Sequence, residues 1–243
     1  MSRFYAPRGS IKGNRIILTG LEAHHVLDVM RLKTLDKVVA FDGTGTEYIG
    51  FIKGMGRKSV DVEIVERRTP LGKENCKITL IQAIPKKDSD YIMEKATELG
   101  VHSVIPVFTK RTIVSWNEGK RHSRVERWRR IAREASKQCG RPSIPKVDDI
   151  KDFKDALKSA SDSDLNLIAA LSDPRVDLKD AIRDFKGGKV QIAIGPEGDF
   201  TPDEIKKAKD ARFIVVSLGR NVLKSDTAGL AVLAILNYEF GNG

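Results

Sequence analysis

From residue 77 onward, strand-like runs alternate with helix-like stretches, and this order restricts the fold more than any other feature of the chain. Val104–Phe108, Leu165–Leu171 and Val190–Ile194 are near-continuously apolar, and Lys77–Ala83 and Phe213–Leu218 read as further strands. Strands buried on both faces read as apolar runs, whereas half-buried strands alternate. Between them, Asp90–Leu99 places Ile92, Ala96 and Leu99 on one helical face and meets Gly100, a C-terminal cap. Thr201-Pro202-Asp203-Glu204 opens a helix with a capping box and an early proline. Asp177–Phe185 and Asp226–Phe240 are the remaining helices. The alternation predicts an α/β fold, a parallel sheet covered on both faces. Such sheets bind ligands beyond the C-terminal ends of their strands.

Residues 1–70 follow a different pattern. Arg15–Leu18, Lys37–Phe41, Glu47–Ile52 and Ser59–Val65 are rich in β-branched residues, and the last alternates with period two. Asp42-Gly43-Thr44-Gly45-Thr46 is a turn, and Leu21–Met30 fits one short helix. Short strands with glycine-bearing turns predict a small barrel. The polar stretch Arg67–Asn75 marks the boundary, giving domains 1–70 and 71–243.

With 243 residues, 40% of them hydrophobic, the chain has enough apolar content for a sizeable core and is not expected to be disordered. No apolar window is long enough for a membrane span, and Met1–Pro7 carries no secretory signal. Cys76 and Cys139 suggest small buried residues in a reducing cytoplasm rather than a disulfide. His24, His25, His102 and His122 show no metal-ligand spacing with them, so no metal is expected. His24 and His25 read as packing or capping residues of the barrel helix.

The net charge of +10 is unevenly spread: Lys110–Lys146 holds twelve Lys/Arg against three acids. Within that stretch Val125, Trp128, Ala132, Ala135 and Cys139 form one apolar helical face, which makes Trp128 a core residue. Arg121, Arg124, Arg127, Arg129, Arg130, Arg133 and Lys137 cover the rest. A solvated face normally interleaves acids. A run of like charge is better balanced by phosphates in a complex. Arg31, Arg111, Arg133 and Arg141 are the candidate RNA contacts. Gln138 either reads a base edge or satisfies a backbone group. Phe4 and Tyr5, beside Arg3 and Arg8, are candidates for stacking or a dimer contact.

Three loops leave the ends of consecutive strands: Leu171–Pro174, Ile194–Phe200 and Leu218–Thr227. Their glycines allow close approach of a ligand to the backbone. Gly43-Thr44-Gly45 lacks the third glycine of a dinucleotide fingerprint, and neither a phosphate loop nor a nucleophile elbow is present.

Ile194-Gly195-Pro196-Glu197-Gly198, followed by Leu218-Gly219 and Val222-Leu223-x-x-x-Thr227-Ala228, resembles the ribosomal RNA small subunit methyltransferase E family of the SPOUT class. Ala23–Leu32, Glu94–Val101 and Gln138–Arg141 match it in the same order, so the resemblance spans nearly the whole chain. It implies a C-terminal α/β sheet with a deep trefoil knot, an N-terminal PUA-like β-barrel and a cytoplasmic homodimer. The implied cofactor is S-adenosyl-L-methionine, bent in the knot and held by backbone groups of the three loops. By position its pocket uses Leu171, Ser172, Gly195, Glu197, Gly198, Leu218, Gly219, Val222, Leu223 and Thr227. The implied reaction is methylation of N3 of one uridine in 16S ribosomal RNA, free or within the 30S subunit.

The chain departs from the family pattern at Asn221 and Lys224, where arginines are usual, at Asp226, where glutamate is usual, and at Asp199, where a second glycine is usual. Arginine to lysine loses the bidentate fork. Asp226, as acceptor of the N3 proton, and Lys224, as stabiliser of the uracil anion, are the candidate catalytic side chains. Asp226 equally fits a cap of the last helix. The departures leave open a SPOUT enzyme with another RNA target or a ribose acceptor, and a non-catalytic ribosome-assembly factor.

Overall fold

The computed structural model describes residues 2–69 and 75–241. Residues 70–74, in which the expected boundary falls, lie outside them. The chain divides into two compact units, Met1–Gly72 with Arg133–Ile144, and Lys73–Ala132 with Pro145–Gly243. Residues 133–144 thus group with the N-terminal strands although they lie within 71–243 in sequence.

The first unit comprises β1 (Arg3–Tyr5), β2 (Ile11–Lys12), β3 (Arg15–Thr19), α1 (Gly20–His24), β4 (Lys37–Phe41), β5 (Glu47–Met55) and β6 (Ser59–Arg68). One curled sheet runs β1-β4-β5-β6-β3-β2, antiparallel except for β1 beside β4. Alternate residues turn inward. Ile16, Leu18, Val60, Val62 and Ile64 meet Val38, Ala40, Ile52 and Phe4 in one core. Phe4 is fully buried there, which removes it from the candidates for stacking or dimerisation. The expected helix over Leu21–Met30 is only five residues of α-helix, followed by a π-turn at His25–Val29. His25 packs edge-on to Phe4, and His24 faces solvent with its Nδ1 2.7 Å from Asp28.

The second unit begins with β7 (Cys76–Ala83), α2 (Ser89–Glu98), β8 (Ser103–Phe108) and α3 (Glu118–Cys139), whose last residues belong to the first unit. It continues with β9 (Lys146–Val147), β10 (Lys151–Asp152), α4 (Phe153–Ala156), β11 (Leu165–Ala169), β12 (Val176–Asp177), α5 (Leu178–Ala181), β13 (Gly188–Ile194), α6 (Pro202–Asp210), β14 (Ile214–Ser217) and α7 (Ser225–Phe240). The strands form a parallel sheet in the order β10-β8-β7-β13-β11-β14-β12, with β9 also on β8.

Both faces of this sheet are covered, which explains its apolar runs. Ile81, Ala83, Ala193, Ile168 and Val215 face Phe153 and Ala156 of α4 and Ile205 and Ala208 of α6. The alternate residues Leu80, Gln82 and Ile194 lie under Gly229 of α7. A Cβ at Gly229 would stand 2.9 Å from Gln82 Oε1, so the glycine lets the helix approach the sheet.

The Thr201 capping box is formed, with Thr201 Oγ1 accepting from Glu204 N and Glu204 Oε2 accepting from Thr201 N at 2.9 Å. Two helices differ from expectation. Asp177–Phe185 is helical only over Leu178–Ala181: Asp177 pairs with Ser217 at the sheet edge, and beyond Ala181 the chain tightens into turns, Arg183 N donating to Asp180 O and Phe185 N to Ile182 O. In α3, Trp128, Val125, Ala132 and Ala135 are buried, but Cys139 is exposed at the helix end and Cys76 is half-buried.

Candidate active site

Register places the chemistry. Gln82 of β7 pairs with Ile194 of β13, Ile194 with Ala169 of β11, and Ala169 with Val216 of β14. Four strands therefore end in one row, and the loops after them meet beyond it. They enclose a cavity of about 580 Å³, within the range of small-molecule sites. Of the residues expected to hold a cofactor, Leu171, Gly195, Glu197, Leu218, Gly219, Val222 and Leu223 line it. Lys224 and Asp226 line it as well. Ser172, Gly198 and Thr227 lie in the same loops but outside the lining. Ser172 turns its hydroxyl toward Asp173 O, and the Thr227 hydroxyl donates to Asp226 at 2.9 Å.

A fourth loop, not among the three expected from the sequence, completes the cleft. Pro85, Lys86, Lys87 and Asp88 follow β7 and form one wall. The available signal was that β7, too, is a strand with a loop at its C-terminal end.

Side chains tie the loops to one another. Glu197 Oε1 accepts from Lys86 N at 2.8 Å, joining the second loop to the fourth. Asp199 Oδ2 accepts from Leu171 N at 2.9 Å, joining the second to the first. Ser225 donates to Gly195 O at 2.6 Å and accepts from buried Gln82 Nε2 at 3.0 Å, anchoring the start of α7. Arg111 Nη1 donates to Gly198 O at 2.7 Å and to Phe200 O at 3.3 Å, so this candidate RNA contact holds the loop from outside. Gly219 has φ +124°, a conformation that bulky residues resist, and a Cβ there would meet nothing within 4 Å. Bare backbone thus faces the cavity.

The model of the RNA methyltransferase domain family matches residues 72–237, and that of the RNA methyltransferase PUA domain matches 18–65. A ribosomal RNA small subunit methyltransferase E from Neisseria gonorrhoeae, solved bound to S-adenosyl methionine, is 31% identical. It superposes with a TM-score of 0.86 over 99% of this chain and 98% of its own. The chain belongs to the ribosomal RNA small subunit methyltransferase E family. The Bacillus subtilis member is 28% identical over 91% of this chain and 89% of its own. A Legionella pneumophila methyltransferase solved with bound S-adenosylmethionine has a TM-score of 0.88 at 29% identity, covering 99% and 98% of the two chains. The fold is accordingly a SPOUT-type parallel sheet with a PUA-like β-barrel.

Against the family pattern, Asp199 now has a physical account. Its φ is +60°, where glycine is at ease and aspartate is tolerated. Asn221 and Lys224 are exposed on the third loop. Lys224, not Asp226, occupies the cap position of α7, with no side-chain cap bond. Asp226 sits in the first turn, its Oδ1 accepting from Thr227 N at 2.5 Å. The remaining RNA candidates belong to the first unit. Arg31 and Gln138 are exposed, Arg133 lies 5.5 Å from the Tyr5 ring, and Arg141 bonds Ser143.

Proposed function

We propose that the chain methylates N3 of a uridine in small-subunit ribosomal RNA, using S-adenosylmethionine held in the cleft. The carrying observation is a cavity formed where four parallel strands end, with Gly195 and Gly219 in its lining, in a chain of this family. The volume, the bare backbone at Gly219 and the mixed charges of Glu197, Lys224 and Asp226 suit a zwitterionic cofactor with an adenosine group. Leu171, Gly195, Leu218, Gly219, Val222 and Leu223 would hold it. When bound, it supplies an electrophilic methyl on a sulfonium. The chain's part is to hold the uracil in line and to manage one proton. The Asp226 carboxylate accepts the N3 proton, and the Lys224 ammonium stabilises charge on the uracil oxygens. Because N3 lies on the pairing edge, the target uridine enters the cleft unpaired.

The same reading assigns residues 1–70 to RNA binding and 71–243 to catalysis. It includes the trefoil knot of the class, a cytoplasmic location and a homodimer. The exposed Ile235 and Tyr238 of α7 support the last.

Methyl transfer to 30S particles and to naked ribosomal RNA, read by reverse-transcriptase stops, tests the reading. One uridine gives a stop only after incubation with enzyme and cofactor. Asp226→Asn lowers the single-turnover rate by about 100-fold or more while cofactor affinity is kept. Absence of a stop on either substrate contradicts the proposal, and an unchanged Asp226→Asn rate removes the proton acceptor.

A further inference from the structure

The start of α3 carries a cluster that the cleft does not use. Trp116 precedes the helix, and Lys120, Arg121 and Arg124 occupy its first two turns. The positive end of a helix disfavours cations there, and neighbouring like charges repel. None of the three forms an ion pair among the described residues. Their neighbours on the same helix do: Arg127 meets Asp90 at 2.7 Å, and Arg129 meets Glu126 at 2.7 Å and Asp149 at 3.0 Å.

Aromatic rings hold these cations in place. The Arg121 guanidinium lies 4.7 Å from the Phe108 ring centroid, and its Nε donates to Trp116 O at 3.0 Å. The Arg124 guanidinium lies 5.4 Å from the Trp116 ring and Lys120 Nζ 5.9 Å from it. Trp116 stands between Phe108, at 6.0 Å, and the fully buried Trp128, at 6.1 Å. The rings therefore form a row that starts in the core. A guanidinium held on an aromatic face loses little further freedom on binding, and its outer N–H groups match phosphate oxygens in pairs.

We infer that Arg121, Arg124 and Lys120, set on Phe108 and Trp116, form an RNA phosphate-binding site beside the cleft. The inference rests on the proposed RNA methyltransferase activity and adds a place where the substrate backbone is gripped. Position supports it. Val107 pairs with Ala83 of β7, so β8 ends at the same sheet edge as the cleft strands. It lies two strands from β13, about 10 Å at the usual strand spacing.

Filter binding of naked small-subunit ribosomal RNA between 50 and 300 mM salt tests the site. The Arg121→Ala/Arg124→Ala pair should weaken binding about tenfold or more and flatten the log–log salt slope by about 1 to 2. Arg121→Lys/Arg124→Lys should keep the slope and lose affinity severalfold, since charge remains without the fork. Lys206→Ala/Lys209→Ala on α6, a control for general charge, should match wild type. Alanine variants with wild-type affinity and slope, or no weaker than the α6 control, overturn the site. If the alanine pair fails to fold, the lysine pair decides: affinity equal to wild type overturns the site. Wild-type methyl transfer is measured in parallel. Transfer with unaltered binding by the variants refutes this site alone. Weakened binding without transfer by wild type leaves the site and refutes the activity.

Discussion

At Asp199 the backbone lies at φ +60° and the carboxylate accepts the Leu171 amide, so one residue both makes the turn and fastens two cleft loops. The two contributions separate by substitution. Asp199→Gly keeps the conformation and loses the tie. It should raise the cofactor Kd severalfold with a melting temperature within about 2 °C of wild type. Asp199→Ala loses the tie and adds about 1 kcal/mol of left-handed strain, visible as a lower denaturation midpoint. Wild-type cofactor affinity in both variants would show that the tie does not shape the cleft. At this scale the glycine-bearing loops and their resemblance to the family pointed to Gly195 and Gly219, and both line the cavity. The sequence was silent on Gln82 and Ser225. Their hydrogen bond joins positions 143 residues apart, which no local pattern reveals. Arg111 was legible as a cation but not as a clamp on the Gly198 carbonyl, because that pairing exists only once the sheet is ordered.

Elements were read best where the core dictates them. The strands of the parallel sheet show as apolar runs because both faces are covered, and α6 is announced by its capping box. The short pieces β9, β10 and β12, with two residues each, carry no period and were not readable. Packing of α7 makes a direct prediction. Gly229→Ala puts a methyl 2.9 Å from Gln82 Oε1. The overpacking should cost about 1–3 kcal/mol in chemical denaturation; an unchanged midpoint would mean that the helix shifts freely. The segment beside β8 gives a pH-dependent case. Burial would raise the Asp148 carboxyl, but hydrogen bonds from Lys146 at 2.7 Å and Lys151 at 2.9 Å outweigh it and hold it below the usual range. A depressed carboxyl stabilises the fold above its unfolded pKa of about 3.9. That contribution is lost as pH falls through the folded value. Asp148→Asn should therefore cost about 1 kcal/mol at neutral pH. The gap to wild type should narrow below about pH 4; a constant gap across pH would contradict the pairing.

At the level of the molecule, the local excess of cations pointed to a polyanion partner, the strand–helix alternation to where a ligand binds, and the family resemblance to which ligand it is. The excess of cations between residues 110 and 146 is divided between units, with the Arg121 cluster in one and Arg133 and Lys137 in the other. A linear count of charge does not show that division. Nor does it show that Lys137 is already paired with Glu22 at 3.1 Å. The proposed methyl transfer requires the cleft at the ends of β7, β13, β11 and β14 to receive a sulfonium cofactor. Calorimetric titration of the purified chain with S-adenosylmethionine measures this directly. Saturable binding is predicted, weakened about tenfold or more by Gly219→Val, since a β-branched residue resists φ +124°. No saturable binding at millimolar cofactor, or full affinity in Gly219→Val, would contradict it.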